Sequence, residues 1–216
     1  MIDTISLLNE IKQAPYKEIT VSAPHSGRIE FAVNQTGVKV KGASGTWLER
    51  PGTLLARLVR EGNPKPIYAP EKGEVVEFYD VSDREFVQAG TPLMKIRHCL
   101  TKQEVMDIIL KKALHLFIAP EKGRYYFVSE IDTKIKSQGL RSVSVKEGDE
   151  VLILSRMKRE TTITYQGPQG IIYTAYFNSN ESVETGAPLF GVCPENQVQD
   201  IKAVIDKIQS GWEEQE

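Results

Sequence analysis

Ala119-Pro120-Glu121-Lys122-Gly123 repeats, letter for letter, the run Ala69-Pro70-Glu71-Lys72-Gly73. A looser form stands at Ala23-Pro24-His25-Ser26-Gly27, and a shortened one at Gly167-Pro168-Gln169-Gly170. In each, proline removes a ladder donor and glycine supplies the positive φ of a tight turn, so each closes a β-like run. A second signal alternates with the first, a glycine followed by aliphatic residues: Gly52 with Leu54-Leu55, Gly90 with Leu93, Gly148 with Val151-Leu152, and Gly186 with Leu189. From each proline to the next such glycine the intervals are 28, 20, 28 and 18. The long-short alternation means that one repeating unit holds two of each signal. Pro24 to Pro120, Gly52 to Gly148 and Gly90 to Gly186 are each 96 residues apart, and Pro70 to Pro168 is 98. A constant offset over several landmarks marks a tandem duplication. The second copy then carries two extra residues between Gly148 and Pro168.

Between the landmarks lie short runs such as Ile19–Ala23, Ile29–Val33 and Thr162–Tyr165, which alternate with period two and predict strands. Many short strands at this spacing predict a sandwich or barrel. Three stretches differ. Ile5, Leu8 and Ile11 sit at helical spacing. Thr101-Lys102-Gln103-Glu104 is a capping-box pattern that opens a helix to Leu114, with Val105, Ile108 and Ile109 on one face. Val198, Ile201, Val204, Ile205 and Ile208 predict an amphipathic helix that Gly211 stops. The expected division is an N-terminal helix over 1–15, a first module over 16–99, a linker helix over 100–114, a second module over 115–194 and a C-terminal helix over 195–216.

In this order the signals resemble the biotinyl/lipoyl-attachment domain family. Copy one has Gly52-Thr53-Leu54-Leu55-Ala56-Arg57-Leu58, then Ala69-Pro70-Glu71-Lys72-Gly73, then Gly90-Thr91-Pro92-Leu93. Copy two has Gly148-Asp149-Glu150-Val151-Leu152-Ile153-Leu154, Gly167-Pro168-Gln169-Gly170 and Gly186-Ala187-Pro188-Leu189. The resemblance covers roughly residues 17–98 and 112–193. It implies a mostly β chain: two tandem barrel-sandwich modules, each with a projecting hairpin, plus three short accessory helices. In that family a lysine at the hairpin tip carries biotin or lipoate. The amine must stand clear of the barrel, where its tether gives a high effective concentration at partner sites.

Counting ten residues from Gly52 reaches Gly62, in Glu61-Gly62-Asn63, a turn without an attachment amine and the degenerate equivalent of the family's tip. Pro64 and Pro66 follow and predict an edge strand. The same count from Gly148 reaches Lys158, in Ser155-Arg156-Met157-Lys158-Arg159-Glu160. Met157-Lys158 matches the biotin pattern, whereas Arg156 and Arg159 replace its small and apolar flanks. One extra residue on each arm would keep Lys158 at the hairpin midpoint. Lys158 is therefore the candidate attachment residue, against the plainer reading of a solvated basic turn.

Other chemistry is thin. His25, His98 and His115 lie in different elements without metal-site spacing, His98-Cys99 is a poor zinc signal, and a histidine phosphocarrier would need two histidines facing each other. No phosphate loop, nucleophile elbow or paired carboxylates stand out, and Asp132 and Asp149 read as turn residues. No catalytic residue and no metal are expected. A net charge of -2 among 216 residues gives no basic balance toward nucleic acid. No secretory signal is read in Met1–Ala14, and no run of 18 apolar residues predicts a bilayer span. Cys99 and Cys193 fit two free thiols in a reducing, cytoplasmic compartment. The expected function is a non-catalytic binding or scaffold protein within a larger assembly, with other protein subunits as partners, no cofactor, and a homo-oligomer through the amphipathic helices left open. The alternative is a biotin or lipoyl carrier modified at Lys158; a third is an adaptor-like subunit of an export system.

Overall fold

The two alternating sequence signals turn out to be bonded to each other. The amide of Ala23 donates to the Thr91 carbonyl, and the amide of Gly90 donates back to Ala23. Ala119 makes the same exchange with Ala187 and Gly186. Ala69 donates to Thr53, and Tyr165 donates to Asp149 while accepting from Gly148. Each proline turn is thus stitched to a glycine turn distant in sequence. That is why the two kinds of punctuation alternate along the chain.

The computed structural model describes residues 4–45, 49–179 and 181–212. They fall into two units: residues 13–101, and residues 102–212 together with 4–12. The chain is mixed α/β and mostly β, with four small antiparallel sheets and four helices among the described residues.

In the first unit the strands are β1 (Tyr16–Ser22), β2 (Gly27–Phe31), β3 (Lys39–Val40), β4 (Leu54–Arg60), β5 (Asn63–Tyr68), β6 (Gly73–Phe78), β7 (Phe86–Val87) and β8 (Pro92–Cys99). They form two sheets, ordered β1-β8-β6-β3 and β5-β4-β2-β7. Alternate side chains point inward. Ile29, Leu55, Leu58, Leu93, Met94 and Ile96 meet in a closed apolar core.

The second unit has β9 (His115–Ile118), β10 (Arg124–Phe127), β11 (Ser144–Val145), β12 (Glu150–Arg156), β13 (Arg159–Thr164), β14 (Gly170–Ala175) and β15 (Pro188–Cys193). Its sheets run β11-β14-β15-β9 and β10-β12-β13. A single bridge from Gly123 to Val183 stands where the first unit pairs Gly27 with Val87. Registers agree as well as orders. Leu54↔Tyr68 corresponds to Glu150↔Thr164, and Phe78↔Met94 to Ala175↔Phe190, with a bulge at the same place in each pair. The second core is more aromatic: Phe117, Tyr165, Phe190 and Phe127 stack through ring centroids 5.1 to 6.2 Å apart.

Helices α1 (Thr4–Gln13), α2 (Lys102–Ala113), α3 (Ser129–Gln138) and α4 (Val198–Gly211) complete the fold. α2 packs on α4, and the Lys102 amine donates to the Gln209 carbonyl. Ile201, Val204, Ile205 and Ile208 are buried, as the helical spacing requires, while Ile108 is only half-buried. On α1 Leu7 and Leu8 are buried and Ile11 is half-buried, while Ile5 is 52% exposed, so the expected stripe holds at Leu8 and Ile11 and fails at Ile5. Both cysteines are free, Cys99 half-buried and Cys193 buried.

Two expectations are corrected here. Among the described residues there are four helices, not three. α3 lies inside the second unit, and Asp132 is not in a turn but in its first turn of helix, paired with Lys136 one turn on at 2.5 Å. Only Ile131 and Ile135 pack on the core, too few for a visible stripe. The constant offset also hid the insertion. β11 lies 105 residues beyond β3, so nine residues gained before it are balanced by nine lost before β12.

The second correction concerns the hairpins, which have arms of equal length. The extra chain does not lie in them but between Thr164 and Gly170, where six steps replace the five from Tyr68 to Gly73. Tyr165 stands in that turn at the place of Ala69, and its hydroxyl donates to the Pro168 carbonyl at 3.0 Å. A longer turn gives the phenol room.

Candidate functional site

The β12–β13 hairpin grows out of the second core. A bulge between Glu150 and Leu152 turns two successive side chains, Val151 and Leu152, into the interior, where both are fully buried. Leu55 and Ala56 do the same in β4. Toward the tip, Leu154 lies over Gly123, whose missing side chain makes the space for it, as Gly27 does for Leu58. Beyond Leu154 the strands leave the core, and every residue from Arg156 to Thr162 is exposed.

Arg156 pairs with Arg159 across a two-residue turn, Met157-Lys158. Their φ angles are 47° and 64°, both in the left-handed region, which is the pattern of a type I′ hairpin turn. Glu61 and Gly62 adopt the same pattern, with φ of 52° and 77°, between Arg60 and Asn63. Lys158 and Gly62 are therefore equivalent tip residues, each on an exposed turn. Met157 is 85% exposed, so neither turn residue is held by apolar packing. Arg156 is tied down by Glu121, Nη1 to Oε2, at 2.5 Å. Among the described residues, Lys158 makes no ion pair, and its amine is open to solvent.

The histidines lie in separate elements. His25 follows β1 in the first unit, and His115 begins β9 in the second. His98 is buried, with Nδ1 2.5 Å from the Lys72 carbonyl and Nε2 3.5 Å from Glu71, which also pairs with Lys17. These bonds anchor the Ala69–Gly73 turn to β8 and β1. His98 and Cys99 are neighbours on one strand, so their side chains leave opposite faces and cannot share an ion.

One feature escaped the sequence reading. A groove of about 560 Å³ in the second unit is lined by β9, Pro120, Thr162, Ile163, Thr164 and Gln166. β9 and β13 are the edge strands of their two sheets, so the groove is bounded by unpaired edges. Leu116, Phe117 and Ile163 are half-buried in it, and Ile118 is 54% exposed. Only topology makes these two segments neighbours. Neither a protein-family model nor a curated protein matches the chain.

Proposed function

We propose that this chain is a non-catalytic binding or scaffold protein, built from two biotinyl/lipoyl-like barrel-sandwich modules and working inside a larger protein assembly. The observation that carries the reading is the pair of equivalent hairpin tips: Gly62 offers no amine, and Lys158 stands between two arginines. A module that keeps the hairpin but alters its chemistry serves by its surface. The two cores support the same view, since apolar and aromatic side chains fill them. Among the described residues no helix is long and apolar enough to cross a membrane.

A second reading has a specific observation behind it. Lys158 is exposed, without an ion-pair partner among the described residues, and next to Met157 at a two-residue turn, the geometry a ligase needs to modify an amine. On that reading the chain is a biotin or lipoyl carrier. Intact-mass measurement after co-expression with active biotin and lipoate ligases separates the two. An unmodified mass supports the scaffold, and an added biotinyl or lipoyl mass lost in Lys158→Ala establishes the carrier.

A further inference from the structure

The two hairpins differ in the outward edge of their second arm. A two-residue turn makes its flanking residues a hydrogen-bonded pair, and bonded and non-bonded pairs then alternate along the arms. In β5 the pairs Arg60↔Asn63 and Leu58↔Lys65 are bonded, so residues 64 and 66 face away from β4. Both are proline. With no N–H to offer, Pro64 and Pro66 block that edge against a further strand. In β13 the same register turns Glu160 and Thr162 outward, and each has an N–H and a carbonyl to present. The same fold thus has one edge blunted and the other open.

The open edge borders the groove, whose lining includes the half-buried Phe117 and Ile163. Past its lining, along the same strand edge and beyond Glu160, stand Lys158 and Arg159, exposed cations that make no ion pair among the described residues. About three residues of strand, roughly 10 Å, separate them from Thr162. An unpaired ladder beside a partly apolar groove, with positive charge further along the same edge, fits an extended peptide that adds as a strand. An antiparallel addition sets the peptide's C-terminal end beside Lys158 and Arg159.

We infer that the β9–β13 groove binds an extended segment of a partner protein, added antiparallel to β13, with alternate apolar residues over Phe117 and Ile163 and acidic residues toward its C-terminal end. The inference deepens the binding-protein reading and rests on it.

The probe is a synthetic eight-residue peptide of alternating valine and threonine ending in two aspartates, blocked at both ends and titrated into the full chain. Saturable binding is expected, with slowed amide exchange at Glu160 and Thr162. Thr162→Pro copies the Pro66 that the first unit already accommodates, and should weaken binding about tenfold or more. The double reversal Lys158→Glu and Arg159→Glu keeps the edge intact. It should weaken the aspartate peptide about tenfold while leaving a peptide ending in two serines unchanged. The inference is overturned by no binding to the wild type, or by binding that both variants leave unaltered. Self-association of the chain that Thr162→Pro abolishes overturns it too, because the occupant is then a second copy. If the peptide fails while the mass remains unmodified, the groove is lost and the scaffold reading stands.

Discussion

Lys158 occupies in β12–β13 the position that Gly62 occupies in β4–β5, the second residue of a two-residue turn, with φ of 64° and 77°. Glycine takes that conformation freely, whereas an L side chain there costs about 1–2 kcal/mol. Lys158→Gly should therefore match or exceed wild-type stability, and Lys158→Val, β-branched at positive φ, should lose roughly 1–2 kcal/mol. Denaturant unfolding of the three proteins checks the order. A Lys158→Gly variant less stable than wild type would show that the amine holds the fold.

Gly170 and Gly123 both lie where a methyl group would collide, but against different neighbours. At Gly170 the methyl presses on the backbone carbonyl of Cys193, which the β14–β15 ladder holds; at Gly123 it meets the end of the Leu154 side chain. Gly170→Ala should cost roughly 1–3 kcal/mol and Gly123→Ala less, since a side chain can turn aside. Thermal unfolding midpoints of the two variants should rank accordingly.

Burial pushes the Tyr165 phenol up to about 12 from its ordinary 10.0. In that interval the folded chain keeps a proton that the unfolded chain has lost, so rising pH favours unfolding. The stabilisation is complete below pH 10 and disappears as pH climbs through about 12. Tyr165→Phe should flatten this alkaline decline and cost about 1 kcal/mol at neutral pH, the hydrogen bond to Pro168 being gone. Some slope should persist, because Tyr176 is also raised to about 12 by burial. Urea unfolding on either side of pH 10 measures both effects.

The helices separate buried from exposed apolar residues. Ile201→Ala in α4 should cost roughly 2–5 kcal/mol, since that side chain is 3% exposed. Ile5→Ala in α1 should change stability by no more than about 0.5 kcal/mol. Equal losses at the two sites would mean that Ile5 is covered in the protein in solution.

Strands such as β1 and β2 were legible from period-two alternation, three of the helices from their apolar stripes, and the hairpin position of Lys158 by counting from Gly148. Gly90, Gly148 and Gly186 take the positive φ that few residue types supply. Gly27, Gly73, Gly123 and Gly170 do not take the positive φ expected of them, and are glycine because a Cβ would collide with a neighbouring strand. Either demand leaves its mark in the letters. The fourth helix was not legible, because Ile131 and Ile135 alone draw no stripe. Nor was the place of the extra residues: Pro168 looked like the partner of Pro70, whereas the ladder pairs Gly170 as it pairs Gly73.

The sequence by itself determined where this chain turns, which short runs can be strands, and that a lysine stands in the second hairpin where the first has a glycine. Those are local properties, written in φ preferences and in period-two alternation. Tertiary structure alone decided that the glycine and proline turns bond in pairs, that the arms of the two hairpins are equal, and that β9 and β13 are edges flanking one groove. The reason is physical: strand partners are chosen by hydrogen bonds and core packing between segments remote along the chain, and no local pattern records which edge is left unpaired.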